Sequence, residues 1–268
     1  MRHRPLLTAA AVAAALLAGC ATVPGGSAFD SAAASRPLSD VTPATPEEAR
    51  AHVHVELGMA YFEVGRYDVA LDEARIALQD SPNYAPAFHL LGLAYMLVDE
   101  LAAARDNFER ALRIAPGDPD FNNSYGWFLC LQGKESEGLE RLAMAARNPY
   151  YRYPGRPLTN AGLCELRRKD DASAELQFQR ALQVDPQNGL ALFHLADIAY
   201  RGGRLEQART HLIRLHQQQG PTAASAWLGL RTERRLGNRD AEASYASQLG
   251  SRFGNSSEYQ LMIQGQYE

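Results

Sequence analysis

Three cysteines, seven histidines and several adjacent acidic pairs are the side chains of this 268-residue chain with the chemistry to make a site. Cys20, Cys130 and Cys164 offer thiols for acylation, metal binding or a disulfide, but they are too few for a disulfide framework or a Cys-rich zinc module. The histidines do not converge. His52 and His54 diverge by about 200° on a helix, and His211 and His216 have no acidic or Cys partner in register. Glu47-Glu48 and Asp72-Glu73 are carboxylate pairs of the kind acid–base chemistry uses, yet they fall where helices carry surface charge. No Gly-rich phosphate loop, nucleophile elbow or HExxH occurs. The expectation is a non-enzymatic chain with no catalytic residue, no cofactor, no metal and no small-molecule substrate.

Cys20 is best understood from what precedes it. Arg2, His3 and Arg4 lead into an apolar run from Leu6 to Ala18, shorter than a bilayer span requires and flanked as in a secretory signal peptide. The ending Leu17-Ala18-Gly19-Cys20 resembles a bacterial lipobox, in which the Cys becomes the lipidated first residue of the mature chain. On that resemblance residues 1–19 are a lipoprotein signal peptide and Cys20 is the lipidation site. Ala21 stands where an Asp usually retains such proteins at the inner membrane, so the implied location is the periplasmic face of the outer membrane, lipid-anchored. Acyl chains contribute about 0.8 kcal/mol per buried CH₂, enough to hold a soluble domain on a bilayer. Residues 20–46 are rich in Ser, Thr, Pro and Gly without apolar periodicity, which predicts a flexible tether after the lipidated Cys.

The charge balance, 27 Lys and Arg against 31 Asp and Glu, is spread along the chain. A nucleic-acid binder needs a cationic block against phosphates, so nucleic acid is excluded as a partner class.

From Glu47 onward a 34-residue period organises the remainder. Leu57-Gly58 recurs as Leu91-Gly92, and Tyr61/Tyr95, Ala70/Ala104, Ala77/Ala111 and Pro82/Pro116 keep the same interval. These positions resemble the tetratricopeptide repeat, a helix pair that completes its core only by stacking. Small residues mark close helix approaches, Tyr61, Tyr95 and Phe108 fill the space between helices, and Pro82 and Pro116 end second helices. The register slips by two residues within NPYYRYPGRP at 148–157, a longer turn expected to serve packing, and Gly162, Ala174, Phe178, Ala181 and Pro186 restore it. The sixth unit is the loosest, with Trp227, Leu230 and Ala243 as its matches. The expected fold is all-α, a superhelical solenoid of about six repeats. Their boundaries are 51–84, 85–118, 119–152, 155–188, 189–222 and 224–257, within a domain over 47–268 that ends in a capping helix.

In that resemblance the first helices line an inner groove. Helix periodicity aims Val55, Met59 and Phe62 inward from the first repeat, and His89, Leu93 and Met96 from the second. The third contributes Asn123, Trp127 and Cys130, the fourth Thr159 and Leu163, and the fifth Phe193, Asp197 and Tyr200. This largely apolar surface predicts a site for an apolar segment or amphipathic helix. It lacks the Lys/Asn/Lys/Arg cluster with which some repeats of this type hold a C-terminal carboxylate. Cys130 and Cys164 fall at positions 12 and 10 of successive first helices. They therefore point in opposite directions around neighbouring axes, which predicts a disulfide in an oxidising compartment.

Three further segments are more specific. They are Asn122-Asn123-Ser124-Tyr125-Gly126-Trp127-Phe128-Leu129-Cys130, Asn148-Pro149-Tyr150, and Thr159-Asn160-Ala161-Gly162-Leu163-Cys164. With WLGLR at 227–231 and LGNRDAEASYASQL at 236–249, they resemble the PilF/PilW family of type IV pilus lipoproteins. The chain departs from that family in Ser124, an added residue within an Asn-Asn-Tyr-Gly-type motif, and in its tether. The resemblance implies an outer-membrane protein that binds the type IV pilus secretin and promotes its localisation and oligomerisation. The alternative is an adaptor for outer-membrane protein assembly or for cell-wall hydrolases.

Overall fold

The computed structural model describes residues 34–267, so the signal-peptide assignment, Cys20 and the first part of the tether lie outside the described residues. Thirteen α-helices are present among those residues, and each packs on its chain neighbours. They fall into six pairs: α1 (Pro46–Glu63) with α2 (Tyr67–Asp80), α3 (Ala85–Leu97) with α4 (Leu101–Ile114), and α5 (Pro119–Leu131) with α6 (Glu135–Arg147). The remaining pairs are α7 (Gly155–Arg167) with α8 (Asp171–Val184), α9 (Gly189–Arg201) with α10 (Leu205–Gln219), and α11 (Ala223–Leu236) with α12 (Arg239–Arg252). The expected cap is α13 (Ser257–Ile263).

Local chemistry sets the helix ends. Thr45, Asp118, Asp170, Asn188, Thr222, Asn238 and Ser256 each accept a backbone N–H from the first turn of the helix that follows. Those N–H groups would otherwise have no partner. Pro82, Pro116 and Pro186 lie two residues beyond the ends of α2, α4 and α8, as the repeat pattern requires.

The core follows from a size alternation between helices. Ala70, Ala77, Ala104, Ala111, Ala174 and Ala181 are fully buried on the second helices, which lets neighbouring backbones approach. Phe108 then meets Gly92 so closely that a Cβ there would lie 2.7 Å from the Phe ring. Gly162 and Phe178 repeat this relation with 2.5 Å, and Gly229 and Tyr245 with 2.6 Å. Each pair is separated by sixteen residues. The third pair places the sixth repeat in register, a signal that matching Trp227, Leu230 and Ala243 alone missed.

The turns inside each pair share a backbone signature. Gly65, Asp99, Gly133, Lys169, Gly203 and Gly237 all have positive φ, between 61° and 79°. The chain must reverse there in the left-handed region, where glycine is least strained. The insertion lies where expected, in the turn between α6 and α7. At the far end, Trp227 stacks on Tyr267 at 5.5 Å, and Tyr259, Leu261 and Met262 close over Trp227, Leu230 and Leu249. This tail covers the last repeat's otherwise exposed apolar face.

The tether expectation over 20–46 needs correction at its C-terminal end. Residues 35–41 are docked on the stack. Leu38 N–H donates to Asp118 Oδ2 at 2.8 Å, and Asn148 Nδ2 donates to Ser35 O at 2.9 Å. Asp40 pairs with Arg152 at 3.2 Å, and Pro37 is buried. The reason is apolar burial of Pro37 and Leu38 together with satisfaction of two buried polar side chains.

Candidate functional site

The first helices carry the candidate contact surface. Met59 and Phe62 on α1, and Leu93 and Met96 on α3, are half-buried and pack against the core formed by the first repeats. Trp127 on α5, Leu163 on α7 and Phe193 on α9 continue the series in the same half-buried state. Asp197, also half-buried, is tied to Arg201 at 2.9 Å.

Polar side chains bridge adjacent first helices along this series. His89 lies 2.9 Å from the hydroxyl of Ser124, and Asn160 Nδ2 donates to Asn123 Oδ1 at 3.0 Å. His89 also lies between Phe108 and Phe121, with ring centroids 6.1 and 4.7 Å away. Burial there pushes its pKa down to about 4, so the imidazole is neutral near pH 7. Ser124, the residue that departs from the family motif, supplies His89's polar partner.

Four of the residues assigned to the groove are buried instead. Val55 and Tyr200 belong to the core, and two guanidiniums, Arg231 and Arg235, cover the Tyr200 ring at 4.9 and 4.8 Å. Thr159 donates to Gly155 O at 2.8 Å and accepts from Asn188 Nδ2 at 2.9 Å, so its hydroxyl joins two repeats. Cys130 is fully buried. At Thr159 the reason is the next repeat, whose Asn188 closes over the opening turn of α7.

Cys130 and Cys164 form a disulfide, with Cα atoms 5.5 Å apart, that covalently joins α5 to α7. Gly138 makes room for it, since a Cβ there would lie 2.5 Å from Cys130 Sγ. Beside the disulfide Arg167 donates to the carbonyls of Cys130 and Leu131 at 2.9 and 3.3 Å. Arg235 repeats the device on Tyr200 O at 3.1 Å. These arginines satisfy carbonyls at the C-terminus of the preceding first helix, a role their sequence spacing of 68 residues could have revealed.

A cavity of about 570 Å³ lies among α10, α11 and α12, lined in part by Arg209, His216, Glu233 and Tyr245. Its ionisable groups answer one another. Arg209 holds Glu233 through two bonds of 2.9 and 2.7 Å, and His216 lies 2.9 Å from Ser225 Oγ and 3.2 Å from the Tyr245 hydroxyl. Burial lowers the His216 pKa and raises that of Tyr245, which keeps both neutral near pH 7.

Stacked helix pairs with a small-against-aromatic seam define a tetratricopeptide-repeat protein, and the tetratricopeptide repeat family model matches residues 55–119 and 159–224. Within that class the chain is similar, along about four-fifths of its length, to the type IV pilus assembly proteins PilF and PilW. It is 29% identical over 214 residues to the type IV pilus assembly protein PilF of Pseudomonas aeruginosa, covering 80% of this chain and 84% of the relative. The solved structure of Pseudomonas aeruginosa PilF superposes with a TM-score of 0.74 at 27% identity, over 82% of this chain and all of the other. The crystal structure of PilW, described as a widely conserved type IV pilus biogenesis factor, gives 0.72 at 27% identity, over 80% and 98%. A match to the Drosophila melanogaster protein O-mannosyl-transferase Tmtc1 is 34% identical over 119 residues, 44% of this chain, but spans 14% of that protein.

Proposed function

We propose that this chain is an outer-membrane lipoprotein, anchored through Cys20, that binds the type IV pilus secretin and promotes its localisation or oligomerisation. The similarity to pilus assembly proteins along four-fifths of the chain carries this reading. The apolar series Met59, Phe62, Leu93, Met96, Trp127 and Leu163 supports it, because an assembling subunit exposes apolar segments that need cover until they find their own partners. Asn123 and Asn160 supply amide groups among these side chains that can hold the main chain of such a segment.

The test is the state of the secretin in a deletion strain, followed as heat-resistant multimers in separated membranes. Loss of the multimers, or their retention at the inner membrane, is expected. Complementation with Trp127→Ala or Met96→Asp is expected to restore fewer multimers at normal protein level. Normal multimers at the outer membrane in the deletion strain would sink the secretin reading. General loss of outer-membrane proteins would favour an adaptor for their assembly.

A further inference from the structure

The insertion between α6 and α7 puts three tyrosines into one turn, and the fold uses only Tyr151, which is 6% exposed. Tyr150 and Tyr153 are 49% and 52% exposed. Each exposed ring carries a guanidinium, Arg36 at 5.7 Å over Tyr150 and Arg156 at 4.3 Å over Tyr153. Arg152 is exposed between them, and its pairing with Asp40 is a surface ion pair of small strength. Phenol rings offer an apolar body with a polar tip, and guanidiniums match phosphate geometry. Together they suit the headgroup layer of a bilayer.

The chain path brings a membrane to the same place. The N-terminal segment docks at this turn through Ser35 and Asn148, and next to it through Leu38 and Asp118. Fourteen residues lie between Cys20 and Ser35, a reach of at most about 50 Å. If the segment were undocked, the free length would run to Pro46 and the reach would be about 90 Å. The chain coming from Cys20 therefore meets the stack at its third and fourth repeats, not at its first helix.

We propose that the turn at 148–156, with Arg36 from the docked segment, is a membrane-docking edge. Tyr150 and Tyr153 enter the interfacial layer, and Arg36, Arg152 and Arg156 meet the phosphates of anionic phospholipids. The proposal rests on the acylation of Cys20 for its orientation, and its test does not. Residues 33–268 form one compact unit, so a chain beginning at Ala21 keeps the whole stack without the anchor.

That chain is sedimented with vesicles of phosphatidylethanolamine plus phosphatidylglycerol and, separately, with phosphatidylcholine vesicles. Anionic vesicles are expected to bind more protein. Arg36→Gln/Arg152→Gln/Arg156→Gln is expected to weaken that binding at least about tenfold, since each cation near the surface contributes. Tyr150→Ser/Tyr153→Ser is expected to weaken it severalfold, and Arg239→Gln at the far end of the stack to leave it unchanged. Unchanged circular dichroism and melting midpoints show that the variants fold. No binding, equal binding to both vesicle types, or edge variants that bind like the parent chain would overturn the proposal. If the edge variants keep vesicle binding and instead lose a co-purifying envelope protein, the edge is a protein interface and the lipid assignment falls. Acylation is read separately, by mass spectrometry of the N-terminal peptide, so failure of the anchor and failure of the edge are distinguishable.

Discussion

Cys130 and Cys164 bond the first helix of the third repeat to that of the fourth, across the only pair boundary among the described residues that carries the two-residue insertion. In a repeat stack each interface contributes separately to stability, and a lengthened turn weakens the local link between neighbours. The covalent bond secures that boundary. Closing a loop of this length contributes about 3–4 kcal/mol through the unfolded state. Reductant is therefore expected to lower the urea midpoint of the purified protein, and Cys130→Ala/Cys164→Ala to abolish the difference between reducing and oxidising conditions. Mass mapping without reductant that finds both thiols free would refute the bridge.

The turns within pairs make a second prediction. Asp99 and Lys169 hold φ of 64° and 61° at positions where four other repeats have glycine. A side chain in the left-handed region is strained by about 1 kcal/mol, partly offset by the extra freedom glycine has when unfolded. Lys169→Gly is expected to stabilise by about 0.5 kcal/mol, because the side chain makes no ion pair in the structure. Chemical denaturation of parent and variant under the same conditions reads this directly, and a loss of stability would show that Lys169 does more than occupy a turn.

The Gly–aromatic seam carries a third. Ala at Gly162 would place its Cβ against the Phe178 ring, which is fully buried and stacked on His194. Gly162→Ala is expected to destabilise by about 1–3 kcal/mol, the usual cost of overpacking. Gly162→Ala/Phe178→Leu is expected to recover part of that loss. If Gly162→Ala alone is neutral in a thermal melt, the close approach is not what selects glycine there.

The stack was legible because its periodic residues solve one packing problem repeatedly. Gly92 with Phe108 and Gly162 with Phe178 have the same spacing wherever they occur, so the register survives an insertion. The disulfide followed from that register. The groove was less legible, because helix periodicity gives the face of a helix but not how far neighbouring repeats cover it. Thr159 lies on the expected helix yet bonds Asn188 of the next repeat. The docked segment left no local trace. Its partners Asp118 and Asn148 lie 80 and 113 residues downstream of Leu38 and Ser35, so a polar stretch with Pro and Ser is indistinguishable from linker by composition.

Two groups whose protonation is shifted by burial, His89 and Asp118, make stability respond to acid in opposite senses. His89 has its pKa lowered by burial to about 4 from an ordinary 6.5. Its contribution is present above pH 6.5 and is lost as pH falls through 4, because the unfolded chain takes up the proton first. Asp118, which accepts the N–H groups of Leu38, Asp120 and Phe121, has its pKa raised by burial to about 6 from 3.8. Its contribution is present below pH 3.8 and is lost as pH rises through 6. Each spans roughly 3 kcal/mol at 1.36 kcal/mol per unit, so between pH 4 and 6 they oppose each other. Relative to the parent, His89→Gln is expected to gain stability on acidification through this window, and Asp118→Asn to lose it. Urea unfolding at a series of pH values reads both slopes against the parent. Slopes that differ from the parent in the same direction would show that one of the two groups is not buried in the state proposed.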